Sequence, residues 1–194
     1  MLVQYLWAKL LKKARGVEIV ESTIDESSKV EAGSYIENTT FDKYSFCGYD
    51  CKIVNSDIGS FSSIACGVII GGVSSLKKAE CSLYQKENRE KNARCFIGND
   101  VWIGDNVIVK EGVSIGHGAV IGMGSVVTEN VPPYEVWAGN PAKFIKNRFT
   151  DDIIEKLLII EWWNLQDSDL HKAAVYIKEP LKFIKVCKKL TVKI

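Results

Sequence analysis

The chain contains two histidines, His117 and His171, and imidazole is the side chain best suited to accept a proton at neutral pH. His117 follows Ile115 and Gly116, and His171 lies beyond a pair of tryptophans near the end of the sequence. If His117 acted as a general base, a hydrogen bond to its other ring nitrogen would have to fix the tautomer. A solvated histidine at a corner is the alternative interpretation of His117, and His171, on the tail, is not expected to be catalytic.

The six cysteines are a second set of reactive side chains: Cys47, Cys51, Cys66, Cys81, Cys95 and Cys187. They show no paired CxxC spacing, and the N-terminus has no apolar block followed by a small-residue cleavage site, so neither a metal cluster nor a secretory disulfide framework is indicated. We expect reduced thiols that serve packing, and no metal.

Charge and hydropathy exclude two classes of partner. Lys and Arg total 25 against 24 Asp and Glu, so no net field draws the whole chain to nucleic acid. No apolar run approaches the ~18–20 residues that a membrane-spanning helix needs. We therefore expect a cytoplasmic protein that does not bind nucleic acid.

A repeat of six residues positions these side chains. Large aliphatic residues recur at that spacing in the second half of the chain: Ile97, Ile103, Val109, Ile115, Ile121 and Val127. Small residues precede them by two positions: Val101, Val107, Val113, Ala119 and Ser125. A period of six does not keep residues on one helical face, so each unit is predicted to be a short strand plus a corner.

Four glycines directly follow large residues of the repeat: Gly98, Gly104, Gly116 and Gly122. We expect them at tight corners, in backbone conformations that a Cβ would penalise.

The same pattern extends toward the N-terminus in three less regular groups of large residues: Ile24, Val30 and Ile36; Phe41, Cys47 and Ile53; Ile58, Ile64 and Ile70. Serines occupy the small positions there: Ser28, Ser34, Ser45, Ser56 and Ser62. Three units close one triangular turn. The predicted fold is therefore an all-β, left-handed parallel β-helix of about five coils.

The repeat is interrupted once and is flanked by non-repetitive segments, so the chain is predicted to have three parts. An excursion loop is expected over 71–96, within a β-helix domain over 18–149, and Pro132 and Pro133 end the strand ladder by removing amide donors. A C-terminal helical tail over 150–194 is expected to cap the solenoid, with Thr150 as N-cap. A second helix or strand from Ala173 to Leu190 would be interrupted by Pro180. Residues 1–17 are predicted to form a short basic amphipathic helix.

Four motifs in this order resemble those of the xenobiotic and polysaccharide O-acetyltransferase branch of the hexapeptide acyltransferases. They are Ile97-Gly-Asn-Asp-Val-Trp-Ile-Gly104, Ile121-Gly-Met-Gly-Ser-Val-Val-Thr128, Val131-Pro-Pro133 and Gly139-Asn-Pro-Ala-Lys143. The resemblance spans about residues 20 to 165. It implies a homotrimer in which acetyl-CoA lies along the groove between adjacent solenoids and the acceptor hydroxyl enters near the excursion loop.

The resemblance also implies roles for particular residues of the cofactor site. Trp102 resembles the aromatic wall near the thioester, its alternative being a surface aromatic at a corner or a trimer contact. Asp105, Met123 and Thr128 match positions that border the cofactor mostly through backbone atoms. Lys143 and Lys146 match basic residues that meet the phosphates of coenzyme A, the alternative being two solvated lysines. Glu129 departs from the pattern, because related enzymes often carry lysine there.

The catalytic base is the main departure from the family pattern. The family places a histidine on the excursion loop soon after a Gly-Gly pair, whereas the stretch here is Gly71-Gly72-Val73-Ser74-Ser75 and no histidine occurs over 71–96. Ser75 stands about where the imidazole would be, and a hydroxyl is no general base at neutral pH. Ser75 and His117 are therefore the candidate catalytic positions.

These features predict acetyl transfer from acetyl-CoA to a hydroxyl of a saccharide, in surface-polysaccharide biosynthesis. Two alternatives stay open: N-acetylation of an amino sugar, where an amine needs less help from a base, and a catalytically disabled trimer kept as a binding or scaffold protein. The basic N-terminal helix favours peripheral contact with the inner face of the membrane, and docking on the solenoid end is its alternative.

Overall fold

The computed structural model describes residues 16–71 and 93–191. The chain divides into two compact units between Lys146 and Asn147. The predicted N-terminal helix and most of the excursion loop, including Ser75, lie outside the described residues. The predicted domain boundaries stay a prediction.

Three parallel sheets form the first unit. Sheet 1 contains β1 (Glu18–Val20), β4 (Tyr35–Glu37), β7 (Lys52–Val54), β10 (Ile69–Ile70), β13 (Ile108–Val109) and β16 (Val126–Val127). Sheet 2 contains β2 (Thr23–Ile24), β5 (Thr40–Phe41), β8 (Ser56–Ile58), β11 (Cys95–Ile97) and β14 (Ser114–Ile115). Sheet 3 contains β3 (Lys29–Val30), β6 (Phe46–Cys47), β9 (Ser63–Ile64), β12 (Trp102–Ile103), β15 (Val120–Ile121), β17 (Glu135–Gly139) and β18 (Ala142–Asn147).

The large residues of the repeat stack in register from coil to coil. In sheet 2, Ile58 pairs with Phe41 on one side and with Ile97 on the other, and equivalent ladders run through the other two sheets. These side chains form the core, with Ile58, Ile97 and Ile115 each at most 1% exposed. The predicted parallel β-helix with a C-terminal helical region is confirmed, and so is its stacking pattern.

Three corners connect the sheets, and they differ in length. The first corner joins sheet 1 to sheet 2 and includes Asn38, Asn55 and 110–113. The second joins sheet 2 to sheet 3 and includes 42–45, 59–62, 98–101 and 116–119. The third joins sheet 3 to sheet 1 and includes 48–51, 65–68, 104–107 and 122–125.

The first corner is shorter in the N-terminal coils than in the later ones: only Asn55 separates β7 from β8, whereas 110–113 separate β13 from β14. This difference explains why the N-terminal repeat is less regular. Asn38 and Asn55 stack 17 residues apart at the first corner, whereas Asn99 and His117 stack 18 apart at the second corner of later coils. Asn38 and Asn55 both take positive φ, which asparagine tolerates better than most residues.

Serines at small positions bind the coils together. Ser45 donates from Oγ to the Gly59 carbonyl at 2.7 Å and accepts the backbone N–H of Ser62 at 3.3 Å. Ser62 repeats the arrangement with the Gly98 carbonyl and the Val101 N–H. Each buried hydroxyl therefore satisfies corner groups that the strands leave unpaired.

The reason predicted for the four corner glycines is wrong. None of them takes a left-handed conformation; other residues occupy those positions, such as Phe61, Asp100, Asn106 and Gly124. A Cβ on Gly98 would instead lie 2.6 Å from the backbone nitrogen of His117 in the next coil. The glycines are therefore required by the close approach of neighbouring coils.

The loop boundary at residue 96 also needs correction. Cys95 and Phe96 belong to β11, where they pair with Ser56 and Asp57 of the coil below. Arg94 holds the returning chain there: its guanidinium donates to both carboxylate oxygens of Asp57, at 2.6 and 2.7 Å, and to the carbonyls of Asn38 and Ser56. The solenoid thus resumes at Arg94.

The second unit is helical. It contains α1 (Asp151–Ile160), a 3-10 helix (Trp162–Asn164), α2 (Asp167–Ala174) and α3 (Pro180–Thr191). Thr150 is the N-cap residue of α1, but its side chain makes no capping hydrogen bond. Pro180 begins α3 instead of interrupting a helix, because the first helical position needs no amide donor. No helix among the described residues is long and apolar enough to cross a membrane. The cytoplasmic location stays a prediction.

The close approach of neighbouring coils at Gly98, which does not occur at Gly124, predicts different stability losses when each glycine is replaced by asparagine. Gly98→Asn should lower the free energy of unfolding by about 1–3 kcal/mol, because the new Cβ meets the backbone of the next coil. Gly124→Asn should cost less than about 1 kcal/mol, because nothing lies within 4 Å of its Cβ position and asparagine tolerates φ of +68°. Urea denaturation measures both, and equal costs would show that the close approach of the next coil adds no penalty at Gly98.

The anchor at Asp57 predicts a pH-dependent stability. Hydrogen bonding to Arg94 holds the pKa of Asp57 below its ordinary value of 3.8. The stabilisation is therefore present above that value and is lost as pH falls through the lower folded pKa. Asp57→Asn should cost about 1 kcal/mol at neutral pH, since the pair is partly exposed.

Denaturant unfolding of the parent and of Asp57→Asn at several pH values tests this expectation. The two stabilities should converge below about pH 4. A difference that does not change with pH would show that the charge of Asp57 contributes nothing.

Candidate active site

Asp105 and Met123 lie on successive coils of the third corner. Gly124 donates its backbone N–H to the Asp105 carbonyl at 2.8 Å, which places the two corner segments in direct contact. Met123 is 72% exposed. Gly104 and Gly122 directly precede them; Gly104 is buried, and its Cβ position lies 2.7 Å from the backbone nitrogen of Met123 in the next coil. The structure thus brings together two of the predicted cofactor residues.

The Asp105 side chain has a structural partner. Its Oδ1 accepts the backbone N–H of Cys66, one coil below, at 2.9 Å. This carboxylate therefore satisfies an amide that the corner leaves unpaired. That observation agrees with the expectation that Asp105 would meet a cofactor mostly through its backbone.

Trp102 lies beside this corner on the outer face of sheet 3. It pairs with Ser63 and Val120, and its side chain is 46% exposed. An exposed indole provides a flat apolar surface with one hydrogen-bond donor. The position fits either an aromatic wall for a ligand or a contact with another chain.

Thr128 and Glu129 lie elsewhere, at the first corner after β16. Both are exposed, and Glu129 forms an ion pair with Lys143 at 3.2 Å. Both side chains of this pair are more than half exposed, so the contact is screened by water. The residue that departs from the family pattern thus contacts one of the predicted phosphate-binding lysines.

Lys143 and Lys146 do not share a face of their strand. Both lie in β18 (Ala142–Asn147), three positions apart, and successive side chains of a strand point to opposite faces. Both are exposed. The sequence motif suggested a joint phosphate site, but the strand geometry directs the two ammonium groups to opposite sides.

His117 lies at the second corner, where its ring is held by Asn99. The backbone N–H of Asn99 donates to Nδ1 of His117 at 2.9 Å. A backbone amide can only donate, so Nδ1 must carry a lone pair and the proton of a neutral ring lies on Nε2. In this arrangement the ring offers a hydrogen-bond donor at Nε2, whereas a general base needs a lone pair there.

Phe96 is a neighbour of His117 that sequence reasoning missed. Its ring is 45% exposed on sheet 2 and meets the imidazole edge-on, with 6.2 Å between ring centroids. The sequence places Phe96 one residue before a large core position, and that alternation was the signal for an outward-facing aromatic.

Glu111 was also missed. It lies at the first corner, one residue before Gly112, whose Cβ position is 2.8 Å from the Cβ of Ala93 where the loop returns. One oxygen of the Glu111 carboxylate is buried and has no hydrogen-bond partner among residues 16–71 and 93–191. A buried acceptor of this kind is costly unless a ligand or a proton satisfies it.

The buried thiols differ in pKa: those of Cys95 and Cys47 are raised, whereas a hydrogen bond with Cys47 lowers the pKa of Cys51. Burial raises the pKa of Cys95, and a hydrogen bond with Cys51 together with burial raises that of Cys47. Thiols held protonated are poor nucleophiles. The described residues include no group of three or more His, Cys, Asp or Glu side chains that could hold a metal ion. Cys81 lies outside the described residues.

The candidate residues occupy three different edges of one solenoid. Asp105 and Met123 lie at the third corner, His117 at the second, and Glu111 and the foot of the loop at the first. His171 lies in α2 of the second unit, is exposed and is not among these positions. One copy of the described chain therefore does not assemble them into a single cleft.

Comparisons with known proteins agree with the repeat. Residues 94–129 match the family model for the bacterial transferase hexapeptide (six repeats). A probable macrolide acetyltransferase of Lysinibacillus sphaericus is 55% identical over 74 residues, which are 38% of this chain and 41% of that protein. A chloramphenicol acetyltransferase of Klebsiella aerogenes is 57% identical over 75 residues, 39% of this chain and 36% of that protein. The chain thus matches about two fifths of the length of these relatives.

Among solved structures, AntD, an N-acyltransferase of Bacillus cereus in complex with dTDP-4-amino-4,6-dideoxyglucose and coenzyme A, superposes with a TM-score of 0.58. The two share 17% sequence identity, and the match covers 79% of this chain and 96% of AntD. This likeness shows the fold. Together with the family match and the acetyltransferase relatives, it confirms the resemblance to hexapeptide-repeat acyltransferases that the sequence predicts.

The hydrogen bond from Asn99 predicts a structural role for His117. His117→Ala should lower the free energy of unfolding by about 1 kcal/mol, because it leaves the Asn99 amide without its acceptor. His117→Asn, whose side-chain oxygen can replace Nδ1, should recover part of the loss. Thermal and urea unfolding measure both, and two variants as stable as the parent would show that the hydrogen bond contributes nothing.

Proposed function

We propose that this chain, which carries the hexapeptide repeat of bacterial transferases, transfers an acetyl group from acetyl-CoA to a hydroxyl of a saccharide. The observation that carries the proposal is the stacked-coil region at 94–129, which matches that family, taken with relatives of 55–57% identity that are acetyltransferases. The acceptors named for those relatives are antibiotics, a macrolide and chloramphenicol.

The third corner is the proposed place for the acyl donor. The pantetheine arm is long and narrow, and Asp105, Asn106 and Met123 are exposed on two successive coils of this edge. Met123 adds an exposed thioether that adapts to an apolar ligand, and Trp102 lies on the adjoining sheet face. These features support a donor bound along the stacked coils.

A homotrimer would complete the site. The proposed donor edge, the foot of the excursion loop and His117 occupy separate corners of one chain, so a second copy is needed to bring a different corner against the donor. Closed cyclic assemblies provide such equivalent contacts. The proposal therefore places one acetyl-CoA in each groove between neighbouring copies.

Glu111 is the proposed base in place of the missing loop histidine. One of its carboxylate oxygens is buried without a partner among the described residues, at the corner from which the loop leaves, and a carboxylate is one of the side chains that serve as general bases. Ser75, outside the described residues, remains the position where a histidine would restore the family pattern. His117 is proposed to act through its structural contact with Asn99.

N-acetylation of an amino sugar is the second candidate. It is favoured by the hydrogen bond that occupies Nδ1 of His117, because removal of that imidazole as a base harms an amine acceptor less than a hydroxyl. A disabled trimer that only binds acetyl-CoA is the third candidate, and it predicts binding without acceptor-dependent release of coenzyme A.

Release of free coenzyme A, followed with a thiol reagent, tests these candidates. The parent should release it in the presence of hydroxyl-bearing saccharides, more slowly with amino sugars and with chloramphenicol. Glu111→Gln should lower the rate by about 10²-fold, and Ser75→His in that background should restore part of it. His117→Ala should leave the rate within about threefold.

The outcomes separate the proposals. A faster reaction with amino sugars would favour N-acetylation, and binding of acetyl-CoA without release for any acceptor would favour the disabled trimer. An unchanged rate in Glu111→Gln would remove it as the base. Sedimentation equilibrium of the same preparation checks the trimer, and a monomer that is active would contradict the shared groove.

The ion pair with Glu129 predicts the effect of charge on donor binding. Glu129→Lys should strengthen binding of coenzyme A by roughly 3- to 10-fold, because it removes a competing carboxylate and adds an ammonium group. Lys143→Gln should weaken binding, and Lys146→Gln, on the opposite face of β18, should have a smaller effect. Titration calorimetry with coenzyme A and with dephospho-coenzyme A measures the contributions.

Equal losses in Lys143→Gln and Lys146→Gln would contradict the strand geometry. Unchanged affinity in all three variants would mean that these lysines are solvated and that the phosphates bind elsewhere.

A further inference from the structure

Three large apolar side chains of the helical unit are exposed close together in sequence. Val175 and Ile177, in the turn between α2 and α3, are 78% and 58% exposed, and Leu181, in the first turn of α3, is 62% exposed. Tyr176 between them is 37% exposed. Single exposed aliphatics are ordinary, but a group of this kind at one turn marks a contact surface.

Helix α3 has two chemically different faces. Phe183, Ile184 and Cys187 are buried within the unit. Leu181, Lys185 and Lys188 follow at intervals of four and three residues, so they share the exposed face. One side of α3 is thus buried, and the other side carries exposed lysines next to the exposed turn.

Positive charge is concentrated on this segment. Five lysines lie between residues 175 and 191, against one acidic residue, Glu179, so the segment carries a net charge of +4 while the whole chain carries +1. The lysines are Lys178, Lys182, Lys185, Lys188 and Lys189. Within the described part of the chain, only Lys182 of this set makes an ion pair, with Glu179.

We propose that this surface, the basic apolar surface, binds an anionic lipid membrane. It consists of Val175, Tyr176, Ile177 and Leu181 together with the five lysines. The aliphatic side chains enter the boundary between headgroups and acyl chains, and the lysines remain among the lipid phosphates. A nucleic acid would match the charge but leave the aliphatic side chains without an apolar partner. The proposal goes beyond acetyl transfer and does not require it.

Flotation of the full-length protein with lipid vesicles tests the proposal. The parent should bind vesicles of phosphatidylcholine and phosphatidylglycerol, in a roughly two-to-one ratio, and should bind phosphatidylcholine vesicles at least about tenfold more weakly. High salt should reduce the binding. Lys185→Gln/Lys188→Gln/Lys189→Gln should lower the bound fraction at limiting lipid by about tenfold or more.

Matched variants separate this surface from general effects of charge or hydropathy. Lys29→Gln/Lys52→Gln/Lys110→Gln removes the same charge from exposed positions of the solenoid and should bind as the parent does. Ile177→Gln/Leu181→Gln should weaken binding even at low salt, whereas Ile159→Gln, at a residue 70% exposed on α1, should not. Circular dichroism confirms that each variant is folded.

Each contrary result overturns the proposal. Equal losses in the two triple-lysine variants would show attraction by overall charge only. Full binding by the variants of the basic apolar surface would assign any membrane contact to another part of the chain. If the parent protein does not bind anionic vesicles, an acidic protein surface becomes the partner to test for the basic apolar surface.

Discussion

The close stacking of successive coils is the constraint on which the rest of the structure depends. Backbone hydrogen bonds join each coil to the next at about 2.8–3.0 Å, for example from Gly98 to Ile115 and from Gly104 to Ile121. At this separation the interior is filled by aligned apolar side chains, and the corners have no room for a Cβ at positions such as Gly98 and Gly116. The regular repeat is the consequence of that spacing.

Because the coils stack closely, polar corner residues are needed first as hydrogen-bond acceptors for the backbone of the neighbouring coil. Corners leave backbone amides that the strands do not pair, and side chains one coil away accept them: Asn99 for Ser60, His117 for Asn99 and Asp105 for Cys66. A histidine recruited in this way has its tautomer decided by the fold. Residue types that suggest chemistry in a sequence can therefore serve the stacking of coils, as His117 does here.

A β-helix also distributes its functional groups over separate edges. Residues one coil apart at one corner are neighbours, as Asp105 and Met123 are, whereas residues at different corners are kept apart by the core between them. The long loop and the proposed second copy are the two means by which a solenoid can join such edges. The anchoring of Arg94 on Asp57 contributes to this arrangement because it fixes where the loop returns.

The period of six in the sequence by itself determined the fold and the inward ladders, because alternation of large and small residues can be recognised without knowledge of distant contacts. Only the tertiary structure decided why Gly98 is glycine, which nitrogen of His117 carries the proton, and that Glu129 meets Lys143. These facts depend on groups 14 to 19 residues apart that the coil length brings into contact. Lys143 and Lys146 show the same limit: a motif records their spacing, but the strand conformation decides that they face opposite ways.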